Sequence, residues 1–497
     1  MLPDLYRPEL PPFQHQREAL EAGWDKEGFG YLLEMGLGKS RVTIDNFCLL
    51  FLTHQVDAIL VIAPKSVYTN WTRWDDDNPG EFQKWLWPEL RKEFAMYAYK
   101  AGRVRQDAVQ RKAVMEKMAP GPRILAMNVE AISSTEEAFN FAYDFIASHR
   151  TLVVIDESTV IKNPTSIRTK KCIRLAAKAK FRRILTGSPS TGSLADLWSQ
   201  FEFLGPGRSL LGHRLFATFR ARYCVLKEMH LPGRPLPVKV EVGSQNVEEL
   251  AEIVAEHSFR RRKKDCLDLL PKVYLPREVE LTDEQKRAYS ELRKHAMTLV
   301  RNSRTGEDEE VTTSIVITQL MRMHQVVCGH IRTDDGNILP LETNRIKVMM
   351  EVISEYDDQV VIWCMYRPDA DRVVAELKKA FGDDKVAEWH GGVTQAEREA
   401  GEADFQAGRR RFMVATKAGA RGRTWTAAQL VIYYANDHDL EIREQSEDRT
   451  HRIGTTGTVV YVDLIAKDTV DEKIITALRN KKNIAGAVMR EGIEAWI

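Results

Sequence analysis

The sequence lacks any long hydrophobic run. No apolar stretch in its 497 residues approaches the roughly 20 residues that a membrane-spanning helix needs. The N-terminal residues are rich in proline and acidic side chains, without the basic and apolar pattern of a secretory signal peptide. These absences argue against a membrane protein and against a secreted one, and they predict a cytoplasmic protein.

Cysteine is also scarce. The six cysteines are scattered, and no two of them form a CxxC pair. Disulfide frameworks and zinc ribbons depend on closely spaced cysteines, so neither scaffold is expected. An excess of one charge is missing too, since the formal net charge is only +1. Any surface that binds nucleic acid must therefore come from local clusters of basic residues.

Short apolar runs rich in β-branched residues alternate with amphipathic stretches, a pattern typical of buried strands in parallel sheets. One series comprises residues 59–62, 124–127, 152–155 and 183–185, and a second comprises 360–364, 412–415, 430–434 and 459–464. Helical periodicity prevails between the two series, with a proline-rich interruption at 232–237. The pattern predicts an α/β protein with one lobe at 1–205, a helical insertion at 206–345 and a second lobe at 346–497.

A glycine-rich segment, EMGLGKS, follows the first apolar strand. Glycines let backbone N–H groups close around phosphate oxygens, while Lys39 can reach the β and γ phosphates and Ser40 can hold Mg²⁺. A strict phosphate loop has glycine where Leu33 stands, so an ordinary glycine-rich turn is the alternative for this fragment alone. The predicted ATP-binding residues here are Met35, Gly36, Leu37, Gly38, Lys39 and Ser40.

A pair of carboxylates supports the phosphate-loop interpretation. The apolar run at 152–155 leads into Asp156 and Glu157, at the edge where open α/β sheets bind ligands. Asp156 is suited to Mg²⁺ and Glu157 to orienting an attacking water, as phosphoryl transfer requires. Such a pair alone is usually a solvated strand end. Together with the phosphate loop, it predicts ATP and Mg²⁺ as cofactors.

Two arginines three residues apart, Arg449 and Arg452, lie near the C-terminus. On a helix this spacing would place both on one face. A charged face is normally a solvated one, but the second lobe has no phosphate loop of its own. We therefore predict that these arginines act as arginine fingers on the γ phosphate.

The order of these motifs resembles that of the Swi/Snf family of superfamily 2 helicase-like DNA-dependent ATPases, over nearly the whole chain. EMGLGKS is similar to the family's DEMGLGKT, Leu185–Pro189 to its LTGTP, and residues 445–454 to its QAxDRAHRIG. The most specific match is the basic run Phe259–Asp265 ahead of Leu270-Pro271-Lys272. The resemblance implies two RecA-like lobes of the P-loop NTPase type.

The resemblance also implies further functional residues. Gln16 looks like the amide that reads adenine, and Gln445 joins Lys39, Asp156, Glu157, Arg449 and Arg452 in the catalytic set. The implied DNA-binding residues are Lys65, Ser66, Thr416, Lys417, Arg421, Arg423, Arg260, Arg261 and Arg262. A solvated helix face is the alternative for the basic run. Contacts to the DNA backbone predict low sequence specificity and strong salt dependence.

The sequence departs from the family pattern near both groups of catalytic residues. Ser158 and Thr159 replace the Ala-His of the family's DEAH box, which removes a histidine that commonly couples hydrolysis to the partner lobe. The segment His438-Asp439-Leu440 replaces a Trp-Asn-Pro segment ahead of the arginines. These departures concern the coupling between lobes and not the phosphate chemistry.

The combined features predict a DNA-dependent ATPase that translocates on double-stranded DNA as a monomer and remodels or displaces what is bound there. One alternative is a true helicase that acts on branched DNA in replication, repair or recombination. Another is a non-hydrolysing DNA-binding scaffold, against which the intact Lys39, Glu157 and Arg452 argue. Because motor motifs fill the chain from about Gln16 onward, we expect a minimal bacterial or phage motor in the host cytoplasm.

Overall fold

The computed structural model describes residues 2–76, 79–117, 120–190, 193–229, 238–266, 272–305, 313–333, 335–420, 423–452, 455 and 457–480. The strands are β1 (Gly28–Leu33), β2 (Ala58–Ala63), β3 (Ala95–Ala98), β4 (Arg123–Asn128), β5 (Thr151–Asp156), β6 (Phe181–Leu185), β7 (Cys224–Met229), β8 (Val238–Ser244), β9 (Ser258–Arg261), β10 (Val273–Val279), β11 (His330–Arg332), β12 (Ile338–Pro340), β13 (Val360–Trp363), β14 (Val386–Trp389), β15 (Phe412–Ala415), β16 (Leu430–Tyr433) and β17 (Val460–Ala466).

Helices separate most of these strands along the chain. They are α1 (Gln14–Gly23), α2 (Lys39–Leu52), α3 (Tyr68–Thr72), α4 (Glu81–Trp85), α5 (Pro88–Arg91), α6 (Ala108–Met115), α7 (Val129–Ser134), α8 (Glu136–Ser148), α9 (Ile167–Ala176), α10 (Asp196–Leu204), α11 (Phe216–Tyr223), α12 (Val247–Glu256), α13 (Asp283–Thr305), α14 (Thr313–Cys328), α15 (Arg345–Ser354), α16 (Arg367–Phe381), α17 (Gln395–Gln406), α18 (Leu440–Glu447) and α19 (Val470–Arg479). Among the described helices, none has the length and apolar character needed to cross a membrane.

The first compact unit comprises Met1–Leu226 and Gly243–Asp268. Its seven-stranded sheet has the order β3-β4-β2-β5-β6-β1-β9, and all neighbouring strands are parallel. Successive residues of β2 enter two different hydrophobic clusters, with Leu60 and Ile62 in one and Ile59 and Val61 in the other. The sheet is therefore covered by apolar packing on both faces, as parallel sheets generally are.

The second unit comprises Lys227–Val242 and Leu269–Ile497. Its six-stranded sheet has the order β10-β17-β16-β13-β15-β14, and its strands are also parallel. Residues of β13 again alternate between two hydrophobic clusters. A further cluster joins α13, α14 and α19, so helices extend this unit beyond its sheet.

Two parallel sheets flanked by helices confirm the predicted α/β fold with two RecA-like lobes. Each of the eight apolar runs predicted as strands overlaps one of the observed strands. The range 206–345, predicted as a helical insertion, contains β7 to β12 as well as helices, with β9 in the first sheet and β10 in the second. The proline-rich interruption at 232–237 lies outside the described residues.

Candidate active site

The phosphate loop connects β1 to α2. Gly36 and Gly38 both have a φ of 86°, a left-handed conformation that glycine adopts without steric cost. A Cβ atom on Gly38 would also lie 2.2 Å from Nε2 of Gln16, so a side chain is excluded there on two grounds. Since α2 begins at Lys39, its unpaired first-turn N–H groups lie at the loop, as phosphate binding requires.

Gln16 is buried in α1 and fixes the phosphate loop from one side. Its Nε2 donates to the carbonyl of Leu37 at 3.1 Å, and its Oε1 accepts from the N–H of Phe13 at 3.2 Å. His15 Nε2 lies 3.0 Å from the same Leu37 carbonyl. The structure therefore places Gln16 against the phosphate loop, while its reading of adenine stays a prediction.

Lys39 supplies a buried positive charge at this loop. Its side chain is only 9% exposed, and Nζ lies 3.8 Å from Oε1 of Glu157. Within the described residues, Nζ has no hydrogen-bond partner. Because a buried ammonium without acceptors is costly, phosphate oxygens would complete its environment. The donors of this loop thus fit a nucleoside triphosphate.

Asp156, the last residue of β5, is half-buried at the same edge of the sheet. It accepts a hydrogen bond from Nε1 of Trp71 at 3.0 Å. Burial and the neighbouring charge of Glu157 raise the pKa of Asp156 to about 7, against the opposing influence of Lys39 and Trp71. A bound cation favours the charged form of a carboxylate. Asp156 and the Ser40 hydroxyl therefore fit the oxygen ligands that Mg²⁺ requires.

Glu157 adopts an uncommon backbone conformation. Its φ of 50° and ψ of 63° lie in the left-handed region, which costs a residue other than glycine about 1–3 kcal/mol. This conformation turns the chain sharply out of β5 and into a 3₁₀ turn at Ser158–Ile161. Strained residues of this kind cluster at functional sites, which agrees with the role predicted for Glu157.

The loop Thr186–Pro189 follows β6, the strand between β5 and β1. A Cβ atom on Gly187 would lie 3.2 Å from Cα of Glu34, so this loop packs closely against the phosphate loop. The phosphate loop, the Asp156-Glu157 pair and Thr186–Pro189 all follow the carboxyl ends of three adjacent parallel strands. Such an edge is where α/β sheets bind ligands.

In the second unit, Arg449 and Arg452 lie beyond the end of α18 at Glu447. The condition for a shared helical face, that the segment is helical, is therefore not met. Instead, both guanidinium groups converge on the carbonyl of Arg423, with Nη1 of Arg449 at 2.7 Å and Nη1 of Arg452 at 3.4 Å. Arg452 also donates to Oγ1 of Thr424 at 2.8 Å. The structure thus brings the two arginines together at one carbonyl group. Their spacing in the sequence did not predict this shared contact.

A buried ionic network supports this arginine-bearing segment. Glu447, at the end of α18, accepts from Arg443 at 2.7 Å, from Lys272 at 2.7 Å and from the hydroxyl of Tyr274 at 2.8 Å. Burial opposes the charged form of Glu447, but Lys272 and Arg443 outweigh it and lower its pKa to about 2. Gln445 lies within the same helix and donates to Oε1 of Glu441 at 2.7 Å.

Some of the predicted DNA-binding residues follow the carboxyl ends of strands. Lys65 and Ser66 are exposed beyond β2, while Thr416 is half-buried and Lys417 exposed beyond β15. Arg421 lies outside the described residues. These positions suit contacts to a phosphate backbone, since the side chains of both lysines reach solvent.

Arg423 does not fit the same role. It is 7% exposed, it pairs with Glu402 at 3.3 Å, and its guanidinium lies 4.3 Å from the centre of the Trp389 ring. A DNA contact would require breaking this buried pair, so the contacts of Arg423 do not support its predicted role in DNA binding.

The basic run Arg260–Arg262 is not on a helix. The alternative that it forms a solvated helix face is therefore wrong. The run begins in β9, which pairs with β1 from Gly30↔Ser258 to Leu33↔Arg261. Phe259 packs against the core of the first unit, whereas Arg260 is exposed. The strand was hidden in the sequence because charged residues occupy positions that a buried strand would fill with apolar ones.

The neighbours of Arg260 are partly engaged in ion pairs, Arg261 with Glu18 at 3.0 Å and Arg262 with Asp265 at 3.4 Å. The run is also attached to the phosphate loop. The N–H of Glu34 donates to the carbonyl of Arg261 at 3.0 Å, and Oε2 of Glu34 accepts from the N–H of Lys263 at 2.7 Å.

Two family models match consecutive parts of the chain. A SNF2-related domain matches residues 15–331 and a helicase conserved C-terminal domain matches residues 344–454. The putative ATP-dependent helicase/translocase YwqA of Bacillus subtilis is 26% identical over 490 residues, covering 95% of this chain and 48% of the relative. The human DNA annealing helicase and endonuclease ZRANB3 is 24% identical over 503 residues, covering 99% and 42%. The chain thus spans less than half the length of each relative.

A solved structure of the Sulfolobus solfataricus SWI2/SNF2 ATPase core in complex with dsDNA also matches. Its sequence is 22% identical to this one, the match covers 100% of this chain and 96% of that chain, and the TM-score is 0.41.

Proposed function

Because the chain belongs to the SNF2-related family, we propose that it is a DNA-dependent ATPase that translocates along double-stranded DNA and displaces or remodels bound material. The observation that carries this proposal is the buried ammonium of Lys39. It lies 3.8 Å from Glu157 Oε1, without a hydrogen-bond acceptor among the described residues. This cation lies beside the carboxylate of Glu157, whose backbone is strained. Such an arrangement suits a site that binds a polyphosphate.

The chemistry divides among the chain's own residues. Backbone N–H groups of the phosphate loop and Nζ of Lys39 bind the β and γ phosphates. Ser40 and Asp156 would hold Mg²⁺, which supplies positive charge to the phosphate oxygens when bound. Glu157 accepts a proton from the attacking water and orients it.

Arg449 and Arg452 supply further positive charge to the phosphoryl group as it transfers. Gln445 precedes them on α18 and completes the proposed catalytic set. The ionic network around Glu447 fixes the end of α18 from which these arginines emerge.

DNA binding is assigned to exposed or half-buried residues that follow the carboxyl ends of strands in both sheets. Lys65 and Ser66 in the first unit, and Thr416 and Lys417 in the second, contact the phosphate backbone. Arg260 adds an exposed cation near the phosphate loop. Since these are contacts to the backbone and not to base edges, the motor accepts duplex DNA of any sequence.

ATP turnover measured with different stimulators tests the proposal. The purified chain is assayed without nucleic acid and with single-stranded DNA, duplex DNA, branched DNA and RNA. We expect duplex DNA to stimulate turnover most strongly, and Lys39→Met to lose the stimulation. Negligible turnover with every stimulator, despite intact DNA binding, would contradict the proposal and favour a non-hydrolysing scaffold.

Two displacement assays then separate translocation from unwinding. A translocase removes a third strand from a DNA triplex in an ATP-dependent manner, and we expect this activity from the chain. A helicase separates a forked duplex instead. Strong strand separation without removal of the third strand would replace the proposed translocase with a true helicase.

A further inference from the structure

The 3₁₀ turn that follows Glu157 is held by α10 at both of its ends. At the first end, Oγ of Ser158 donates to Oε1 of Gln200 at 2.6 Å. At the other end, Oγ of Ser199 donates to the carbonyl of Lys162 at 2.8 Å. Ser158, Ser199 and Gln200 are all fully buried. The segment after the proposed catalytic carboxylate is therefore anchored by polar contacts inside the core.

Gln200 has a second connection that Ser199 lacks. Its Nε2 donates to the carbonyl of Pro189 at 2.7 Å and to the carbonyl of Asp196 at 2.7 Å. Pro189 ends the loop Thr186–Pro189, which packs on the phosphate loop through Gly187. One amide side chain thus joins the turn that carries Glu157 to the loop beside the phosphate loop.

We propose that Ser158 and Gln200 form a positioning pair that sets the direction of the Glu157 carboxylate and relates it to the Thr186–Pro189 loop. The pair acts through Glu157. This inference rests on the proposed function, because it assigns Glu157 to ATP hydrolysis.

The physical basis lies in the conformation of Glu157. Its left-handed backbone persists only when the surrounding structure fixes it in more than one way. The N–H of Glu157 donates to Oδ1 of Asp156 at 3.0 Å, and Ser158 is the next residue, so its bond to Gln200 is a second side-chain restraint on that conformation. A buried hydrogen bond that loses one partner leaves the other unsatisfied. Without the pair, the turn relaxes and the carboxylate moves away from the position that attack requires.

Three variants and one matched control test the pair. Ser158→Ala and Gln200→Leu each remove the bond, and the double variant removes both partners. Ser199→Ala removes an equally buried serine bond from the same helix to the other end of the same turn. For each variant we measure kcat and KM for ATP with saturating duplex DNA, the Kd for a fluorescent ATP analogue, and the thermal midpoint.

We expect kcat to fall by about 10- to 100-fold in Ser158→Ala and Gln200→Leu, because small displacements of a catalytic group have effects of this size. KM and the Kd for the analogue should stay within about threefold. The double variant should match Gln200→Leu, since two members of one pair are not additive. Ser199→Ala should retain kcat within about twofold, although its thermal midpoint falls like that of Ser158→Ala.

Different results would overturn the positioning role and the proposed function. A kcat within about twofold of wild type for Ser158→Ala would overturn the positioning role, and so would an equal loss of kcat in Ser199→Ala. Ser158→Ala decides the question alone if Gln200→Leu does not fold. A wild-type chain without any ATP turnover would instead overturn the proposed function, and the inference with it.

Discussion

Glu157 combines several unusual properties in one side chain. Its backbone is left-handed, its side chain is only 13% exposed, and the ammonium of Lys39 lies 3.8 Å away. In the proposed mechanism the same cation moves its interactions to phosphate when ATP binds, which leaves Glu157 available to the attacking water.

The variant Glu157→Gln should separate binding from hydrolysis. The amide keeps the shape of the side chain but cannot accept the proton, so we expect turnover to fall by about 10²–10⁴-fold. The Kd for ATP should change by less than about threefold. Single-turnover hydrolysis and a fluorescent-nucleotide titration measure the two quantities, and Glu136→Gln, at an exposed position of α8, serves as the control. Normal turnover in Glu157→Gln would show that another residue is the base.

His438 is a second residue whose setting has measurable consequences. It lies 5.1 Å from the ring of His324, measured between ring centres. Burial, reinforced by the neighbouring His324, lowers its pKa to about 3, against the opposing influence of Asp471. The folded chain thus holds His438 neutral, whereas the unfolded chain protonates it near the ordinary value of about 6.5.

Lowering the pH should therefore destabilise the wild-type chain through His438. Above about pH 6.5 His438 is neutral in both the folded and the unfolded chain, so it does not reduce the free energy of unfolding. The free energy of unfolding decreases as the pH falls from there toward the folded-state pKa of about 3. Between pH 7 and pH 5 this amounts to about 2 kcal/mol. His438→Gln should flatten the pH dependence of the thermal midpoint over this range, and the control His295→Gln, at an exposed position, should not. Parallel curves for wild type and His438→Gln would contradict the assignment.

At the scale of elements, the strands show how much of the fold could be predicted from the sequence alone. The apolar runs 59–62 and 360–364 predict β2 and β13 correctly, because strands buried on both faces have few polar residues. β9 was missed, since Arg260 and Arg261 occupy an edge strand whose outward residues reach solvent. The phosphate loop and the Asp156-Glu157 pair were recognisable because the residues of each are contiguous in the sequence.

Contacts between distant residues were not recognisable in this way. Trp71 bonds to Asp156 across 85 positions, and Ser158 bonds to Gln200 across 42. Gln200 is ordinary in its local sequence, which contains no signal for its contact with Ser158. Only the packing of the folded chain brings the members of each pair together.

The arginine-bearing segment after α18 leads to a prediction about the whole element. Arg452→Ala should reduce DNA-stimulated turnover by about 10³-fold or more, which is typical of removing an arginine finger. The Kd for ATP should remain within about threefold, since Lys39 and the loop amides bind the phosphates in the first unit. Arg479→Ala, at a half-exposed position on α19, is the control. A matching rise in the Kd for ATP would instead assign Arg452 to binding.

At the scale of the whole molecule, charge is nearly balanced. A formal net charge of +1 over 497 residues gives little general attraction to DNA, so affinity depends on a few local cations. Lys65, Lys417 and Arg260 are exposed in the structure, whereas Arg423 is buried against Glu402. Each exposed cation that meets a phosphate releases counterions, and each contributes to the salt dependence of binding.

For duplex DNA, the combined variant Lys65→Ala/Lys417→Ala should reduce the magnitude of the negative slope of log K against log salt by about 2. The reduction should be equal for unrelated DNA sequences. Arg423→Ala is the matched control, because it removes one positive charge from a buried position. It should lower the thermal midpoint and leave the slope unchanged. Filter binding between about 50 and 300 mM salt, a range of about 0.8 log unit, measures the slope. An unchanged slope in the lysine variant would exclude both residues from the DNA contact.

The attachment of β9 beside β1 has a consequence for how the protein is made. β1 is synthesised more than two hundred residues before β9, and at about 5–20 residues per second this delay is roughly 10–50 s. During this interval β1 has an unpaired edge, which exposes backbone groups to wrong partners. Glu34 also lacks the two partners that β9 and Lys263 later provide. On the ribosome, therefore, the nucleotide-binding loop is completed only late, after the chain has passed through α12.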